Sequence, residues 1–300
     1  MSNGRIIRVF ARRTKFTPTD DLAFYGGPPL YSTPELPVYV SVTFTWDIAR
    51  GRELADAWRY RSGAVRLGGP AFGIGRPGEF VPGRFLKEGI TITSRGCPNR
   101  CPFCLVPDRE GKIRELTIRA GSNVADNNLL ACSRRHVGSV FEMLRTQRQI
   151  RFSGGLEAAR VTDEIVEELR GLRIKFIWLA YDNEDRKRAV LRAVERLKRY
   201  FTQEKIRCYA LIGYHGDTLD AAEGRLRWLY EIGTFPYAMQ YRLPVASFAE
   251  SFLQPGRAWR DLAGRWKNPR DIKGIMKREK GYPAKAQSRK GKNNQLPITI

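Results

Sequence analysis

The sequence predicts an α/β fold built around a parallel sheet, and three observations support this prediction. A chain of 300 residues with 42% hydrophobic residues can bury a sizeable core. From residue 89 onward, short apolar runs rich in β-branched and aromatic residues alternate with amphipathic helical patterns. Acidic residues gather where these helical patterns begin, as the helix dipole favours. Six such repeats predict a parallel sheet that is either open or curved into a partial barrel.

Composition and motifs divide the chain into four predicted segments, which are 1–36, 37–86, 87–245 and 246–300. The first is rich in Arg, Pro and Gly and is expected to form an irregular arm. The second holds one β-α-β pattern: the strand PVYVSVTFTW, a helix with Asp47 as its N-cap, and the strand AVRLGGPAF. The third carries the six repeats, and the fourth is a basic extension.

The strand–helix repeats of the third segment predict that its functional residues lie at one edge of the sheet. Its predicted strands are GITITS, SNVADNNLL, IRFSGGLEA, KFIWLAYD, IRCYALIGY and PYAMQYRL. Helices are expected from His136 to Thr146, Thr162 to Leu172, Glu184 to Phe201 and Thr218 to Ile232. Active sites of parallel sheets lie at the carboxyl ends of the strands. Three cysteines follow the first predicted strand directly, so we expect them at that end.

The net charge of +22, with a pI near 10.2, indicates an anionic partner. Such an excess attracts polyanions, and nucleic acid is the commonest of them. Residues 267–300 hold ten Lys or Arg against two acidic residues and few large apolar ones, which predicts a mobile tail that could rest on a phosphate backbone. A merely solvated basic surface is the alternative interpretation.

The distribution of apolar residues and cysteines along the sequence indicates the cellular compartment of the protein. No run of about 18 apolar residues occurs, so no membrane span is predicted, and the N-terminal residues lack the apolar core of a secretory signal. Five cysteines, three of them crowded together, make a poor disulfide framework. We therefore expect a cytoplasmic protein with free thiols.

The stretch TSRGCPNRCPFCLVPDREGKI contains Cys97, Cys101 and Cys104, spaced C-x3-C-x2-C. A structural zinc site would need a fourth ligand from a distance, either His136 or Cys132. A disulfide leaves one thiol over, and a redox pair of the last two cysteines leaves the first unexplained. Three thiolates can instead hold a 4Fe-4S cluster whose fourth iron is free to bind a small molecule.

This spacing, with Phe103 just before the last cysteine, resembles the radical SAM superfamily. TSRGCPNRCPFC is particularly similar to its cobalamin-binding and methylthiotransferase-like branches. The resemblance spans residues 89–245 and, more weakly, 37–88. It implies a partial (βα)6 TIM-like barrel and an enzyme whose 4Fe-4S cluster reductively cleaves S-adenosylmethionine. The 5′-deoxyadenosyl radical so formed would abstract hydrogen from a substrate, and an electron donor such as a ferredoxin or flavodoxin is the implied partner.

The resemblance also implies roles for individual residues. The implied cluster ligands are Cys97, Cys101 and Cys104. The implied S-adenosylmethionine contacts are Phe103, Asp126, Asn127, Glu157, Asp182, Ile212 and Gly213. Of these, Glu157 lies in SGGLEAAR on the third predicted strand, whereas the family's GGE motif is absent after the second. From the residues alone, Asp126 and Asn127 could equally cap a turn, and Glu157 could equally pair with Arg160.

Departures from the two branches narrow the expected activity. Methylthiotransferases carry three further cysteines upstream, and residues 1–96 contain none. The unit at 37–72 looks like a shortened cobalamin-binding domain, but no histidine precedes His136, which excludes lower-axial histidine ligation. The expectation is a single-cluster enzyme acting on nucleic acid or a nucleotide. The alternatives are a non-catalytic iron–sulfur or zinc protein that binds nucleic acid, and a radical SAM enzyme acting on a peptide or small metabolite.

Overall fold

The computed structural model describes residues 5–31, 33–72, 79–242 and 256–280. Its strands are β1 Ile7–Phe10, β2 Ala23–Tyr25, β3 Val38–Ser41, β4 Val65–Gly68, β5 Ile90–Thr91, β6 Ser94–Arg95, β7 Arg114–Glu115, β8 Asn123–Val124, β9 Ile150–Leu156, β10 Ile174–Tyr181, β11 Ile206–Ile212 and β12 Phe235–Gln240. Its helices are α1 Ile48–Arg59, α2 Val106–Glu110, α3 Arg134–Arg145, α4 Asp163–Arg170, α5 Lys187–Leu197, α6 Leu219–Glu231, α7 Arg257–Arg265 and α8 Pro269–Lys280.

The main sheet has six strands in the order β12-β11-β10-β9-β8-β5, and every neighbouring pair is parallel. The six predicted strands and the parallel α/β class are therefore confirmed. Within the described residues, the sheet has two edges, β5 and β12, and does not close into a barrel. All carboxyl ends of these strands point to the same edge of the sheet.

Along the strands of the main sheet, buried residues alternate with partly exposed ones, and helices cover the face that holds the buried residues. In β11, Ile206, Cys208 and Ala210 are fully buried, while the residues between them are partly exposed. The buried positions form one core with the apolar stripes of the helices. Ser133, Thr162 and Thr218 begin α3, α4 and α6 by accepting hydrogen bonds from the third backbone amide of each helix. The four helices predicted for this segment are confirmed, within a few residues at each end.

The predicted irregular arm proves wrong for part of its length. β1 and β2 belong to a second parallel sheet in the order β2-β1-β3-β4, and Ile7 and Val9 are buried in its core. The β-α-β pattern is confirmed, and α1 buries Leu54, Ala55 and Trp58. Asp47 precedes α1 but does not cap it, because its carboxylate accepts hydrogen bonds from Arg12 instead, at 2.9 and 2.8 Å.

The C-terminal extension is also better ordered than its composition predicts. Residues of α7 and α8 and of the turn between them join the main core: Leu262, Ala263, Trp266, Ile272 and Met276. Trp266 is fully buried, and its carbonyl oxygen accepts a 3.2 Å hydrogen bond from the Ala238 amide of β12. These helices therefore cover the edge of the main sheet. The rest of the predicted tail, 281–300, lies outside the described residues.

Among the helices described, none combines the length and the apolar character needed to cross a bilayer.

Candidate functional site

The three cysteines lie on a loop held at the carboxyl end of β5. β6 and β7 form a short antiparallel ribbon, and the loop leaves from β6. Gly96 has φ +82°, and a Cβ there would lie 2.2 Å from the Lys112 carbonyl oxygen, so only glycine fits. The Cys97 amide donates to the Gly111 carbonyl (3.1 Å), and the Cys104 amide donates to the Cys101 carbonyl (3.0 Å). The loop therefore has a fixed start and a tight turn between its last two thiols.

Asp126 and Asn127, predicted to contact S-adenosylmethionine, support this loop from the end of β8. The Asp126 carboxylate is 2% exposed and accepts hydrogen bonds from the Thr93 amide (2.7 Å) and hydroxyl (2.6 Å) and from the Ser94 hydroxyl (2.7 Å). Burial raises its pKa, and these hydrogen bonds oppose the rise. Asn127 accepts from the Gly96 amide at 3.1 Å. Both side chains are thus engaged in positioning the strand and turn that lead into the cysteines.

All three thiols are free and partly exposed. Burial raises the pKa of Cys101 and of Cys104. The charges of Cys97 and Asp182 raise both pKa values further. Within the described ranges, no three His, Cys, Asp or Glu side chains converge closely enough to hold a single metal ion. A structural zinc site takes four protein ligands, whereas this loop supplies three thiols, the number that a four-iron cluster with one open iron would use.

A buried polar network connects the cysteine loop to β9. Asn128 is 4% exposed, and its Nδ2 donates to Cys97 Sγ (3.5 Å) and to Glu157 Oε2 (2.8 Å). Glu157 also pairs with Arg160 (2.8 Å) and Arg186 (3.4 Å). Burial works against the Glu157 charge, but hydrogen bonds from Asn128 and its other partners hold its pKa below the usual range. The predicted Glu157 therefore lies beside the thiols, and its ion pair with Arg160 is formed as well.

Asn128 and Arg186 were not predicted to belong to the site. Asn128 is part of the same run after the second strand as Asp126 and Asn127, so its position was a usable signal. Its Oδ1 is buried and has no hydrogen-bond partner among the described residues. Arg186 lies before α5 in a strongly basic segment, where nothing in the sequence distinguishes it from its neighbours.

Asp182 follows the end of β10, and its charge acts on thiols of the cysteine loop. Burial raises its pKa to about 6, and the charge of Arg186 opposes this only in part. The same carboxylate raises the pKa of Cys101 and Cys104. A carboxyl group with such a pKa can change its protonation state near neutral pH, which is common at functional sites.

Replacing Asp182 with asparagine is expected to stabilise the metal-free protein above about pH 6. The pKa of Asp182 is higher in the folded state, so the wild type loses stability as pH rises from about 4 to about 6, while the variant does not. The difference in unfolding free energy should grow over this window to on the order of 1–3 kcal/mol and then stay level. Urea unfolding at a series of pH values measures it; a constant difference across the window would contradict the buried carboxyl.

Aromatic side chains cover another side of the cysteine loop. The Phe103 ring lies edge to face with Tyr214, with centroids 5.7 Å apart, and Tyr214 lies 4.9 Å from Tyr241. Gly213 follows β11 with φ +73°, its amide donates to Asp217 (2.8 Å), and the Trp259 ring lies against it. The structure therefore brings Phe103 close to Tyr214, the residue that follows Gly213.

Ile212, an implied S-adenosylmethionine contact, directs its side chain into the core. Its side chain is fully buried on the helix-covered face of β11, as alternation along the strand requires. Its carbonyl oxygen accepts a hydrogen bond from the Tyr241 amide at 2.8 Å. Only the backbone of this residue reaches the edge of the sheet.

The two residues that could have completed a zinc site have other surroundings. His136 is buried, and its Nδ1 lies 3.7 Å from Oε2 of Glu115. Cys132 lies near Ser94 and Asp126, and burial raises its pKa to about 11 against a hydrogen bond with Ser94. A thiol with this pKa stays protonated at neutral pH and behaves as a small apolar side chain.

A cavity of about 640 Å³ lies in a different part of the molecule, along β1 and the segment 81–88, and its lining includes none of the predicted site residues. Arg8 crosses it, pairs with Asp20 and donates to the carbonyl oxygens of Gly83 and Arg84, both at 3.1 Å. These bonds give Arg8 a structural role, tying the segment to the smaller sheet.

The strand ends of β8, β9, β10 and β11 thus converge on one loop that carries three thiols. No protein-family model matches the chain, and no curated protein matches it either. The chemistry of the site therefore rests on the contacts of this chain alone.

Proposed function

We propose that the protein is a radical S-adenosylmethionine enzyme with one 4Fe-4S cluster held by Cys97, Cys101 and Cys104. The observation that carries the proposal is the position of three free, partly exposed thiols at the carboxyl edge of a parallel α/β sheet. Charged and polar groups that could hold an amino acid and a nucleoside surround them. The six-stranded sheet would then form the wall of a partial (βα)6 barrel.

Bound by these residues, the cluster and S-adenosylmethionine would supply one-electron chemistry, namely reductive cleavage of S-adenosylmethionine followed by removal of a hydrogen atom from the substrate. A ferredoxin or flavodoxin would provide that electron in a reducing cytoplasm. The cysteines supply the thiolate ligands, and Asn128 directs an N–H toward the Cys97 sulfur. Hydrogen bonds to ligand sulfurs are one of the means by which a protein sets a cluster's potential.

The remaining side chains bind, orient and exclude water. Glu157 and Asp182 offer carboxylates suited to an ammonium or a ribose, and Arg186 offers a cation suited to a carboxylate. The rings of Phe103 and Tyr214 would limit the access of water to a reactive intermediate at this site. Asp126 and Asn127 act indirectly, by holding the strand and turn that lead to the cysteines.

For the substrate, we propose a nucleic acid or a nucleotide, because the net charge of +22 favours polyanions. A peptide or small metabolite is the second candidate, in which case the charge is incidental. If the thiols hold zinc or an idle cluster, the basic surface would instead serve a non-catalytic nucleic-acid-binding protein.

The decisive test is anaerobic turnover. The protein is reconstituted with iron and sulfide, reduced with dithionite and given S-adenosylmethionine with an RNA or DNA oligonucleotide; 5′-deoxyadenosine is measured by liquid chromatography. We expect product from the wild type and from Cys132→Ala, which removes a thiol outside the loop, but none from Cys101→Ala. A colourless protein that binds zinc would contradict the proposal and favour the binding protein.

A further inference from the structure

We propose that the second face of the main sheet binds single-stranded nucleic acid. Five partly exposed residues of β9–β12 define this surface, called the aromatic face: Arg151, Trp178, Arg207, Tyr209 and Tyr237. On each strand they alternate with buried residues that belong to the helix-covered core. The inference rests on the proposed function, because it names that enzyme's substrate class, but binding itself needs no cluster.

Three aromatic rings form a fixed array on this face. Trp178 and Tyr209 are stacked, with centroids 4.2 Å apart and planes 13° apart, and Tyr237 lies edge-on to both, at 5.8 and 5.9 Å. The Tyr209 hydroxyl donates to the Ser153 carbonyl oxygen at 3.1 Å, which fixes its ring across the sheet. Such rings accept the flat face of any base, and each stacked base is worth about 1–3 kcal/mol.

Two arginines lie on the same face, and each has one nitrogen without a hydrogen-bond partner among the described residues. The Arg207 guanidinium lies between the rings of Phe176 (4.5 Å) and Phe235 (5.1 Å). The Nε atoms of Arg207 and Arg151 are buried and have no hydrogen-bond partner among the residues described. Burial lowers the pKa of Arg207, although the charge of Glu204 opposes this. Both residues are partly exposed, so phosphate oxygens would pair with their guanidinium groups from the solvent side.

A single strand is the occupant that uses both features. An acidic peptide could satisfy the arginines, but it has no bases to stack on three rings. A duplex offers phosphates, but its base faces are already stacked on each other. The overall charge of +22 adds long-range attraction for a polymer that carries many phosphates. Single strands present bases and phosphates together, as the aromatic face requires.

Binding is tested on the full-length protein, without cluster reduction or S-adenosylmethionine, by fluorescence anisotropy. The probe is a labelled oligothymidylate of about 12 nucleotides, within the usual site size of single-strand binders. Arg207→Gln should weaken binding about tenfold and reduce the slope of log affinity against log salt by about 1. Trp178→Leu should weaken binding by a similar factor and leave the slope unchanged, because stacking releases no counterions.

The matched control is Arg192→Gln on the exposed side of α5, which removes the same charge and should change affinity less than about twofold. Equal effects of Arg192→Gln and Arg207→Gln would overturn the inference, since binding would then follow net charge alone. Equal binding of the matching duplex or of thymidine monophosphate would overturn it as well. Circular dichroism of each variant separates lost binding from lost folding, and Arg151→Gln provides a second test if Arg207→Gln unfolds. If the wild-type protein binds the strand but produces no 5′-deoxyadenosine, that result would instead contradict the proposed function.

Discussion

Replacing Asp126 with alanine is expected to lower the unfolding free energy by on the order of 3 kcal/mol. The Asp126 carboxylate is 2% exposed and accepts three hydrogen bonds from Thr93 and Ser94. Alanine leaves those donors buried and unpaired and opens a small cavity at the base of the cysteine loop. Urea unfolding of the metal-free protein measures the loss, and the iron content after reconstitution should fall with it because the loop loses its support.

Asp126→Asn is the matched control. Its amide keeps an acceptor for the Thr93 backbone, and the two hydroxyl groups can turn to accept hydrogen bonds from the amide nitrogen. This variant should therefore lose much less stability than the alanine variant. If Asp126 served only to contact S-adenosylmethionine, both variants would unfold like the wild type and fail only in cofactor cleavage.

Replacing Trp266 with alanine is expected to cost about 3–5 kcal/mol of unfolding free energy. Trp266 is fully buried between the helices of the extension and the main core, and its indole Nε1 has no hydrogen-bond partner in the described part of the chain. The loss therefore comes from packing. Thermal and urea unfolding should both shift, with one cooperative transition, because the two helices belong to the core of the sheet.

Two further variants show whether the effect is specific. Trp266→Phe keeps most of the ring volume and removes a buried N–H, so it should cost clearly less than the alanine change. Tyr60→Ala removes a side chain that is 92% exposed and should stay within about 0.5 kcal/mol of the wild type. An unfolding midpoint of Trp266→Ala equal to that of the wild type would mean that the extension is separate from the core.

Most of the main sheet was predictable because β9 to β12, with six to eight residues each, are apolar runs between clear helix signals. The smaller sheet was only half predictable. β1 has four residues next to basic ones, β2 has three, and their pairing with β3 depends on contacts that no local pattern reveals. The final helices were missed because their charge suggested a tail. The i, i+4 spacing of Leu262 with Trp266 and of Ile272 with Met276 was nevertheless a helical signal.

In the site, the positions of residues were easier to predict than the directions of their side chains. The cysteines follow from their spacing, and Glu157 and Asp182 follow from the resemblance to the radical SAM superfamily, in which residues at the strand ends share one edge of the sheet. That resemblance locates a residue but does not orient its side chain. It therefore could not tell that Asp126 and Asn127 point toward the entry of the loop while Asn128 points toward the Cys97 sulfur. Likewise, alternation along β11 directs the side chain of Ile212 into the core.

Because α7 and α8 follow β12 in the chain, the strand is synthesised before the helices that cover its edge. β12 ends at Gln240, and the residues that cover this edge, including Trp266 and Met276, leave the ribosome later. A nascent chain therefore passes through a stage in which the last strand of a nearly finished sheet has a free edge. Free edges template association between chains, so translation speed and chaperone access over this interval should govern the yield of monomeric protein.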